Sequence, residues 1–564
     1  MQLFQNVKAT SVVLCSVGIV LSSHVQAQTR VIEGPRVLEK RGGGQAVVKA
    51  SEGAQKQLSK QMSSDAKVFV KNFSFIGNEH YSSAELLDLL KPQIDKYYTL
   101  GDLLGVVEGV TQLYRSNGYL VAKAILPEQE IDAGVVNIRI LEGRLSSVAI
   151  KEDRSSSSLV SDLTQVEKIF LLNFCGDERL DSASLTQSRV DRAISVLEDV
   201  AGVRVIQADL QPGEEVGGVG LDVQISPREP YQLELGVDNF GNSYTGVKRA
   251  QTRFSMNGLL NPGDQFGFSY LGTDQTNLKY YGLDYSAPLG FMGWRLGGAA
   301  GRTHYVVPGA ASVSGSADVR SLNVNYPVAR SSQSSIDFVA EYEVAQLGQD
   351  AGVVENKRRN AVRLGVSGAF QDQILDIGRS NNEWSLAITK SDLSFENPVQ
   401  DTQQTSGFKT KLAWRLNRLQ GLGAQGWFAG GNAYGQFATG NLDPYSKLAL
   451  GGAAGVRAYA AGEAAGDRAV VTQLSLGDAW NSNFFEREFN FSLAGFYDRG
   501  WSQLQKNPTV VDGNSQVRSG YGLEFQMAKK NSMNMRVFWA KALNGISTYD
   551  SKDSRVGVNF GFAF

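Results

Sequence analysis

The residue types that most often carry enzyme chemistry are sparse and scattered in this sequence. The three histidines, His24, His80 and His304, lie far apart, so they predict no His-rich metal cluster and no partner for a nucleophile. The two cysteines, Cys15 and Cys175, cannot build a disulfide framework. These residues give no positive sign of an enzyme.

Two other motifs with possible chemistry fit loops better than sites. Gly421–Gly426 has the Gly-x-Gly-x-x-Gly spacing of a dinucleotide-binding turn, but strand-like residues follow where a helix is required, which favours a loop between strands. The acidic pair Glu214–Glu215 lies beside glycines and fits a solvated turn. No Walker A, His-Glu-x-x-His or nucleophile-elbow motif is present. We therefore predict no catalytic residue, no cofactor and no bound metal.

The charge balance and the N-terminus restrict the class of protein. With 55 Lys and Arg against 57 Asp and Glu, the 564-residue chain lacks the basic excess typical of nucleic-acid binders. Residues 1–27 are predicted to be a signal peptide, with Lys8, an apolar core over Ser11–Leu21 and a cleavage site after Ala27. The alternative, a membrane anchor, would need a longer apolar run. We expect an exported protein with no nucleic-acid partner.

The residues that follow predict an arm and then two copies of one small α+β module. Residues 28–66 are polar and fit either a plug helix with a linker or a disordered tether. The order strand-helix-helix-strand-strand occurs over 67–144 and again over 145–227, a repeat of about 80 residues. Ser82 and Glu85 have the spacing of a helix capping box in the first copy.

From residue 228 onward, apolar and polar residues alternate along short strands, most clearly in the last one. Its apolar face consists of Val556, Val558, Phe560, Phe562 and Phe564. A soluble β-sandwich buries such a face, whereas a transmembrane barrel turns it towards lipid. About 330 residues remain, which is large for one sandwich but gives about 21 residues per strand for a barrel of 16. We predict a mainly β protein, with a 16-stranded antiparallel transmembrane β-barrel over 228–564 preceded by the two modules.

This order of segments resembles the outer-membrane transporters of two-partner secretion, the haemolysin-activation and filamentous-haemagglutinin type, within the insertase superfamily. Residues 114–143 (YRSNGYLVAKAILPEQEIDAGVVNIRILEG) are similar to the signature of the family's POTRA (polypeptide-transport-associated) domain. Residues 237–246 and 261–264 are similar to the family's first barrel hairpins. The resemblance implies two periplasmic POTRA domains and a barrel in the outer membrane of a Gram-negative bacterium.

The sharpest similarity lies in residues 450–469, which match the family's sixth extracellular loop. In the family this loop folds back into the lumen and carries a Val-Arg-Gly-Tyr motif followed by Gly-Asp. The corresponding residues here are Val456, Arg457, Ala458, Tyr459, Gly466 and Asp467. Ala458 replaces the usual glycine, which questions any need for a positive φ at this position.

The family's partner motif, Phe-x-Asp-x-Gly, appears as Phe496, Asp498 and Gly500. The resemblance implies an ion pair between Arg457 and Asp498 inside the barrel. Period-two alternation independently places Asp498 on the lumenal face of its strand. Without the resemblance, Arg457 could equally be a solvated loop charge.

The resemblance also implies a function and partners. POTRA domains would capture an unfolded exoprotein, such as an adhesin, haemolysin or contact-dependent toxin, by adding its strands to their sheets. Secretion through the barrel would proceed without ATP, because the periplasm offers none. Outer-membrane lipids and, during biogenesis, the barrel-assembly machinery are further expected partners, with Phe564 as a C-terminal assembly signal. An outer-membrane protein assembly insertase is the alternative function.

Overall fold

The computed structural model describes residues 67–564 with several short gaps. These gaps are residues 132, 154–162, 177–183, 214–216, 276, 309–311, 374–377, 424–425, 485–486, 509–512 and 530–531. The predicted signal peptide (1–27), the arm (28–66) and the Glu214–Glu215 pair lie outside the described residues. None of the described helices is long and apolar enough to cross a bilayer.

The first α+β module packs two helices against a three-stranded sheet. Its elements are β1 (Val68–Val70), β2 (Asn72–Ile76), α1 (Ser83–Leu90), β3 (Lys96–Tyr98), α2 (Leu100–Ser116), β4 (Lys123–Ile125) and β5 (Val135–Leu141). The sheet order is β2-β5-β4, with β2 parallel to β5, while β1 pairs with β3. The capping box predicted at Ser82 and Glu85 is present at the start of α1.

In the second module the described elements follow the order strand-helix-helix-strand-strand. It comprises β6 (Arg144–Glu152), α3 (Leu163–Cys175), α4 (Gln187–Ala201), β7 (Val203–Pro212) and β8 (Gly218–Pro227). Its sheet order, β6-β8-β7, again places the last strand between the first and the middle one. Helix α4 ends at Gly202, whose φ of 66° is a left-handed conformation that glycine adopts without a side-chain clash.

One strand of the first module is shorter than its sequence predicts. From the sequence, the strand that follows the second helix is expected to span 119–126, but β4 begins only at Lys123. The reason is that the backbone just before it contacts the second module: Leu120 N–H donates to Leu185 O at 3.3 Å, and Gln187 N–H donates to Gly118 O at 2.9 Å. These hydrogen bonds join the two modules.

The remainder of the chain is a closed antiparallel barrel of 16 strands, as predicted. Its strands are β9 (Tyr231–Asp238), β10 (Arg249–Asn257), β11 (Gln265–Thr273), β12 (Leu278–Pro288), β13 (Arg295–Val307), β14 (Val313–Arg330), β15 (Ser334–Asp350), β16 (Val354–Asp372), β17 (Ser380–Phe395), β18 (Gly407–Gly421), β19 (Trp427–Ala438), β20 (Arg468–Phe484), β21 (Arg487–Gln503), β22 (Ser515–Lys529), β23 (Met533–Ala542) and β24 (Ser554–Ala563). Closure comes from pairing of β24 with β9. The Gly421–Gly426 motif lies between the end of β18 and the start of β19, so a barrel strand follows where a dinucleotide-binding turn would need a helix.

Alternate residues of the barrel strands face the outside and the lumen. On β24 the outward Val556 and Phe562 are exposed, as lipid-facing side chains must be. On β21 the polar Ser492 and Asp498 face inward and are buried. The apolar faces therefore point away from the barrel axis, which excludes the sandwich alternative.

Helix α4 docks the second module onto the turns at one rim of the barrel. Arg192 on α4 donates to Pro327 O at 3.2 Å, and Arg295 of β13 donates to Asp199 O on α4 at 2.7 Å. The approach is so close that a Cβ on Gly263, whose φ is 76°, would lie 1.8 Å from Val200 O. Only glycine fits at this contact.

Candidate functional site

The connection between β19 and β20 folds back into the barrel. Within it, Val456 N–H donates to Leu450 O at 2.7 Å, which closes a compact turn. The barrel wall holds the turn from both flanking strands. The Tyr434 hydroxyl of β19 donates to Ala454 O at 2.7 Å, and Gln473 Nε2 of β20 donates to Gly455 O at 2.8 Å. We call this inward segment, residues 448–467, the lumenal loop.

The structure brings Arg457 of the lumenal loop against Asp498 of β21. Arg457 Nη2 lies 2.6 Å from Asp498 Oδ1 and Arg457 Nε lies 2.8 Å from Oδ2. The backbone N–H of Arg457 also donates to Oδ2 at 3.0 Å. Arg457 is 6% exposed and Asp498 is fully buried, so this bidentate ion pair is shielded from water.

The other two residues of the Phe-x-Asp-x-Gly motif support the same contact. The Phe496 ring lies under the guanidinium of Arg457, with 3.4 Å between Cζ and the ring centroid, a close cation–π contact. A Cβ on Gly500 would lie 3.1 Å from Leu450 Cδ2 and 3.2 Å from Val456 Cγ2. The missing side chain therefore lets the lumenal loop lie flat on β21.

Ala458 and Tyr459 are also buried in the loop. Ala458 does not have a positive φ, so its methyl group costs nothing in backbone strain. The hydroxyl of Tyr459 donates to Asn544 O at 2.9 Å, which fixes the loop to the β23–β24 connection.

Sequence reasoning missed a second carboxylate at the ion pair. Glu524 of β22 accepts a hydrogen bond from Arg457 Nη1 at 2.7 Å and one from Arg536 of β23 at 2.7 Å. A signal existed, because Glu524 alternates with Gly520 and Gly522 on the small-residue, lumenal face of its strand. The array Arg457–Glu524–Arg536 extends the ion pair across three barrel strands.

Asp467, from the Gly-Asp pair, anchors the end of the loop. Its buried carboxylate accepts from the backbone N–H groups of Leu442 at 3.0 Å and Lys506 at 2.7 Å, and it lies 3.3 Å from Lys447 Nζ. The preceding Gly466 exchanges two backbone hydrogen bonds with Leu448, of 2.9 and 3.1 Å. Both ends of the lumenal loop are thus tied together.

A further anchor, Glu463, carries no recognisable sequence signal because it lies in an irregular segment. Its buried carboxylate contacts Arg518 of β22 at 3.1 Å and accepts from Ser547 Oγ at 2.7 Å and Thr548 N–H at 3.2 Å. Its backbone carbonyl accepts from Leu450 N–H at 3.0 Å. Glu463 therefore joins the lumenal loop to the wall and to the β23–β24 connection.

Two other residues singled out in the sequence, Phe564 and His80, lie away from the lumenal loop. Phe564 exchanges backbone hydrogen bonds of 2.9 and 3.1 Å with Leu233 at the closure of the barrel, and its ring faces outward. The His80 ring makes an edge-to-face contact with Tyr81 and a tilted contact with Tyr119. Within the described ranges, no group of three His, Cys, Asp or Glu side chains could hold a metal ion. What the lumenal site can do chemically is hold a loop by charge-assisted hydrogen bonds.

A closed 16-stranded barrel, two α+β modules at its rim and an ion-paired loop in its lumen define an outer-membrane transporter of the POTRA-barrel class. The chain belongs to the haemolysin secretion/activation protein family ShlB/FhaC/HecB, whose model matches residues 217–525. A model for the ShlB-type POTRA domain matches residues 68–143. Its homologues are two-partner secretion transporters of the outer membrane, and transporters rather than enzymes.

Individual relatives agree with this assignment. The chain is 29% identical over 489 residues to the heme/hemopexin transporter protein HuxB of Haemophilus influenzae (strain 86-028NP), covering 84% of this chain and 83% of that protein. It is 24% identical over 192 residues to the outer membrane transporter CdiB of Escherichia coli O6:K15:H31, covering 34% and 30%.

Solved structures show the same fold. CdiB from Escherichia coli superposes with a TM-score of 0.71 at 15% identity, covering 92% of this chain and 93% of that one. CdiB from Acinetobacter baumannii superposes with a TM-score of 0.64 at 18% identity, covering 98% and 99%.

Proposed function

We propose that this protein secretes one large exoprotein, which its POTRA domains bind unfolded in the periplasm and its barrel passes to the cell surface without ATP. The observation that carries the proposal is the Arg457–Asp498 ion pair, which holds a buried loop inside a barrel whose rim is docked to a POTRA-like module. A protein that formed only a static pore would need neither an ion-paired loop in its lumen nor a POTRA-like module docked to its rim. The names of the relatives, which refer to heme/hemopexin and hemolysin transport, support a secreted protein as cargo.

The second module supports binding of an extended chain. In its sheet, β6 and β7 are the edge strands, and each has one side without a strand partner in that sheet. An edge strand offers main-chain N–H and C=O groups to an incoming strand, which favours sequence-tolerant capture of unfolded protein. We propose that the exoprotein binds there first.

In this proposal the position of the lumenal loop decides whether the transporter can secrete. Arg457, supported by Phe496, Asp498 and Glu524, keeps the loop in the position that secretion requires. Direction comes from folding of the exoprotein outside the cell, since the sequence has no Walker A motif for binding ATP.

The proposal includes the division of the chain. We propose that the chain consists, from its N-terminus, of a signal peptide (1–27), an arm or plug helix (28–66), two POTRA domains (67–144 and 145–227) and the barrel (228–564). Outer-membrane lipids surround the barrel, and the barrel-assembly machinery would insert it with the help of Phe564.

A photo-crosslinking amino acid at Gln207, exposed on the edge strand β7, tests capture directly. We expect it to crosslink the secreted exoprotein during secretion, whereas the same group at Glu167, exposed on helix α3, does not. Equal crosslinking at both positions would contradict edge-strand capture. Depletion should abolish secretion of that exoprotein alone; a general loss of outer-membrane proteins would establish the insertase function instead.

A further inference from the structure

The outer wall of the barrel carries a band of basic side chains at one rim. The α+β modules dock at the turns around Gly263 and Pro327, so the opposite rim is the extracellular one. Towards that rim the outward faces of β14, β16 and β17 carry Arg320, Arg358 and Lys390, which are all exposed. We call these three residues the basic band.

Strand register places the basic band at the edge of the apolar belt. Leu322 on β14, Tyr342 on β15, Val362 on β16 and Lys390 on β17 form one outward row across four strands. The first three members of this row are exposed and apolar or aromatic. Arg320 lies two residues from this row and Arg358 lies four residues from it, both towards the extracellular rim. These separations correspond to about 7 and 13 Å along the tilted strands.

The side chain of Lys390 turns towards the extracellular rim. Its Nζ lies 5.2 Å from the ring centroid of Phe408 on β18. Phe408 pairs with Asp392, two residues closer to the rim than Lys390. Lys390 thus extends its ammonium group out of the apolar belt, as lysines do at a lipid headgroup layer.

The three cations are available for an external anion. None of them has a carboxylate within 4.0 Å in the part of the chain that the structure describes. A neighbouring arginine, Arg302, is by contrast paired with Asp318 through two contacts. Besides Asp318, the outward positions of β14–β17 on this side of the row carry two acids, Asp350 and Asp392, so the three cations leave an excess of one positive charge.

We propose that the basic band binds the phosphate groups of lipopolysaccharide in the outer leaflet. Arginine forms bidentate, charge-assisted hydrogen bonds with phosphate, and lysine contributes a point charge. Asn360, opposite Val344 and two residues from Arg358, supplies an amide donor between the arginines. Glycolipid phosphates lie directly above the acyl layer, which is the level at which the row Leu322–Tyr342–Val362 ends.

The test titrates the purified full-length protein in detergent with lipopolysaccharide, dephosphorylated lipopolysaccharide and phosphatidylglycerol. Wild-type protein should bind phosphorylated lipopolysaccharide at least about tenfold more tightly than either of the other lipids. Equal affinity for the dephosphorylated form would overturn phosphate recognition. Equal affinity for phosphatidylglycerol would overturn the assignment to lipopolysaccharide in favour of a general anionic lipid.

A triple variant, Arg320→Gln, Arg358→Gln and Lys390→Gln, should lose about tenfold in affinity for lipopolysaccharide. The matched control removes three charges from exposed positions of the first module, Lys71→Gln, Lys96→Gln and Arg139→Gln, and should bind like wild type. Unchanged binding by the barrel variant, or an equal loss in the control, would overturn the proposal. Because all six side chains are exposed, the barrel should fold in both variants.

Discussion

Arg457 and Asp498 lie 41 positions apart and share three hydrogen bonds, two from the guanidinium and one from the backbone N–H. The arginine comes from a loop and the aspartate from a barrel strand, so the pair fixes the loop to the wall. Both groups are buried, and neither could be solvated if its partner were removed.

Replacing one partner should therefore release the loop. Asp498→Ala leaves Arg457 with Glu524 alone, and the loss of a buried charge partner costs about 3–5 kcal/mol. We expect the exoprotein to remain inside the cell and the loop to become accessible to protease, at normal barrel levels. Arg457→Lys should also fail, because an ammonium group cannot make the bidentate contact.

Arg499→Ala is the matched control, since Arg499 is next to Asp498 but faces outward. It should secrete normally. Full secretion by both Arg457→Ala and Asp498→Ala would show that the ion pair has no role in transport.

The room left by Gly500 gives a second prediction. Gly500→Val places methyl groups against Leu450 and Val456, which already lie 3.1–3.2 Å from the position of a Cβ. Overpacking of this kind costs about 1–3 kcal/mol, and we expect a lower melting temperature and reduced secretion. Gly495→Val, on the same strand with nothing within 4 Å of its Cβ position, should melt like wild type. A similar effect at both positions would mean that β21, rather than the loop contact, is sensitive.

The anchor at Glu463 gives a third prediction. Glu463→Gln keeps an acceptor for Ser547 but removes the charge opposite Arg518, and weakening a buried charged hydrogen bond costs about 1–3 kcal/mol. The partner is less deeply buried than Arg457, so the loss of secretion should be smaller than for Asp498→Ala. Secretion and loop proteolysis measure the difference, with Glu396→Gln in an exposed connection as the control. A larger loss of secretion than that caused by Asp498→Ala would show that Glu463 holds the loop more strongly than Asp498 does.

The turn that receives helix α4 gives a prediction about pH. Burial alone would raise the pKa of Asp264, but hydrogen bonds from Tyr285 and from the N–H groups of Leu260, Asn261 and Leu259 outweigh it and lower the pKa. The charged form is therefore favoured by folding, so its stabilisation is present above the ordinary value of about 3.9 and disappears as pH falls through the lower folded value.

Asp264→Asn should lower the melting temperature at neutral pH, because the amide replaces one carboxylate oxygen in this network. The difference from wild type should stay constant between about pH 5 and pH 8 and shrink below about pH 4. Thermal unfolding across this range checks the prediction. A difference that grew on acidification would mean that the folded pKa is raised instead.

Much of the architecture could be predicted from local pattern. Period-two alternation depends only on which residues share a face, so it gave the barrel, the outward side of β24 and the inward side of Asp498. The capping box at Ser82 likewise needs only residues three positions apart. The pairing of Arg457 with Asp498 came from the resemblance to a family, because spacing alone left Arg457 free to be a solvated charge.

Only the tertiary structure decided how deep each group lies and what it contacts. Glu524 joins Arg457 over 67 positions and Glu463 joins Arg518 over 55, distances at which no periodicity links two residues. The shortened strand β4 and the tight approach at Gly263 follow from docking between separate units, which local preference does not report. A sequence specifies the face of each strand residue by itself, whereas the partner on that face exists only once the barrel has closed around the loop.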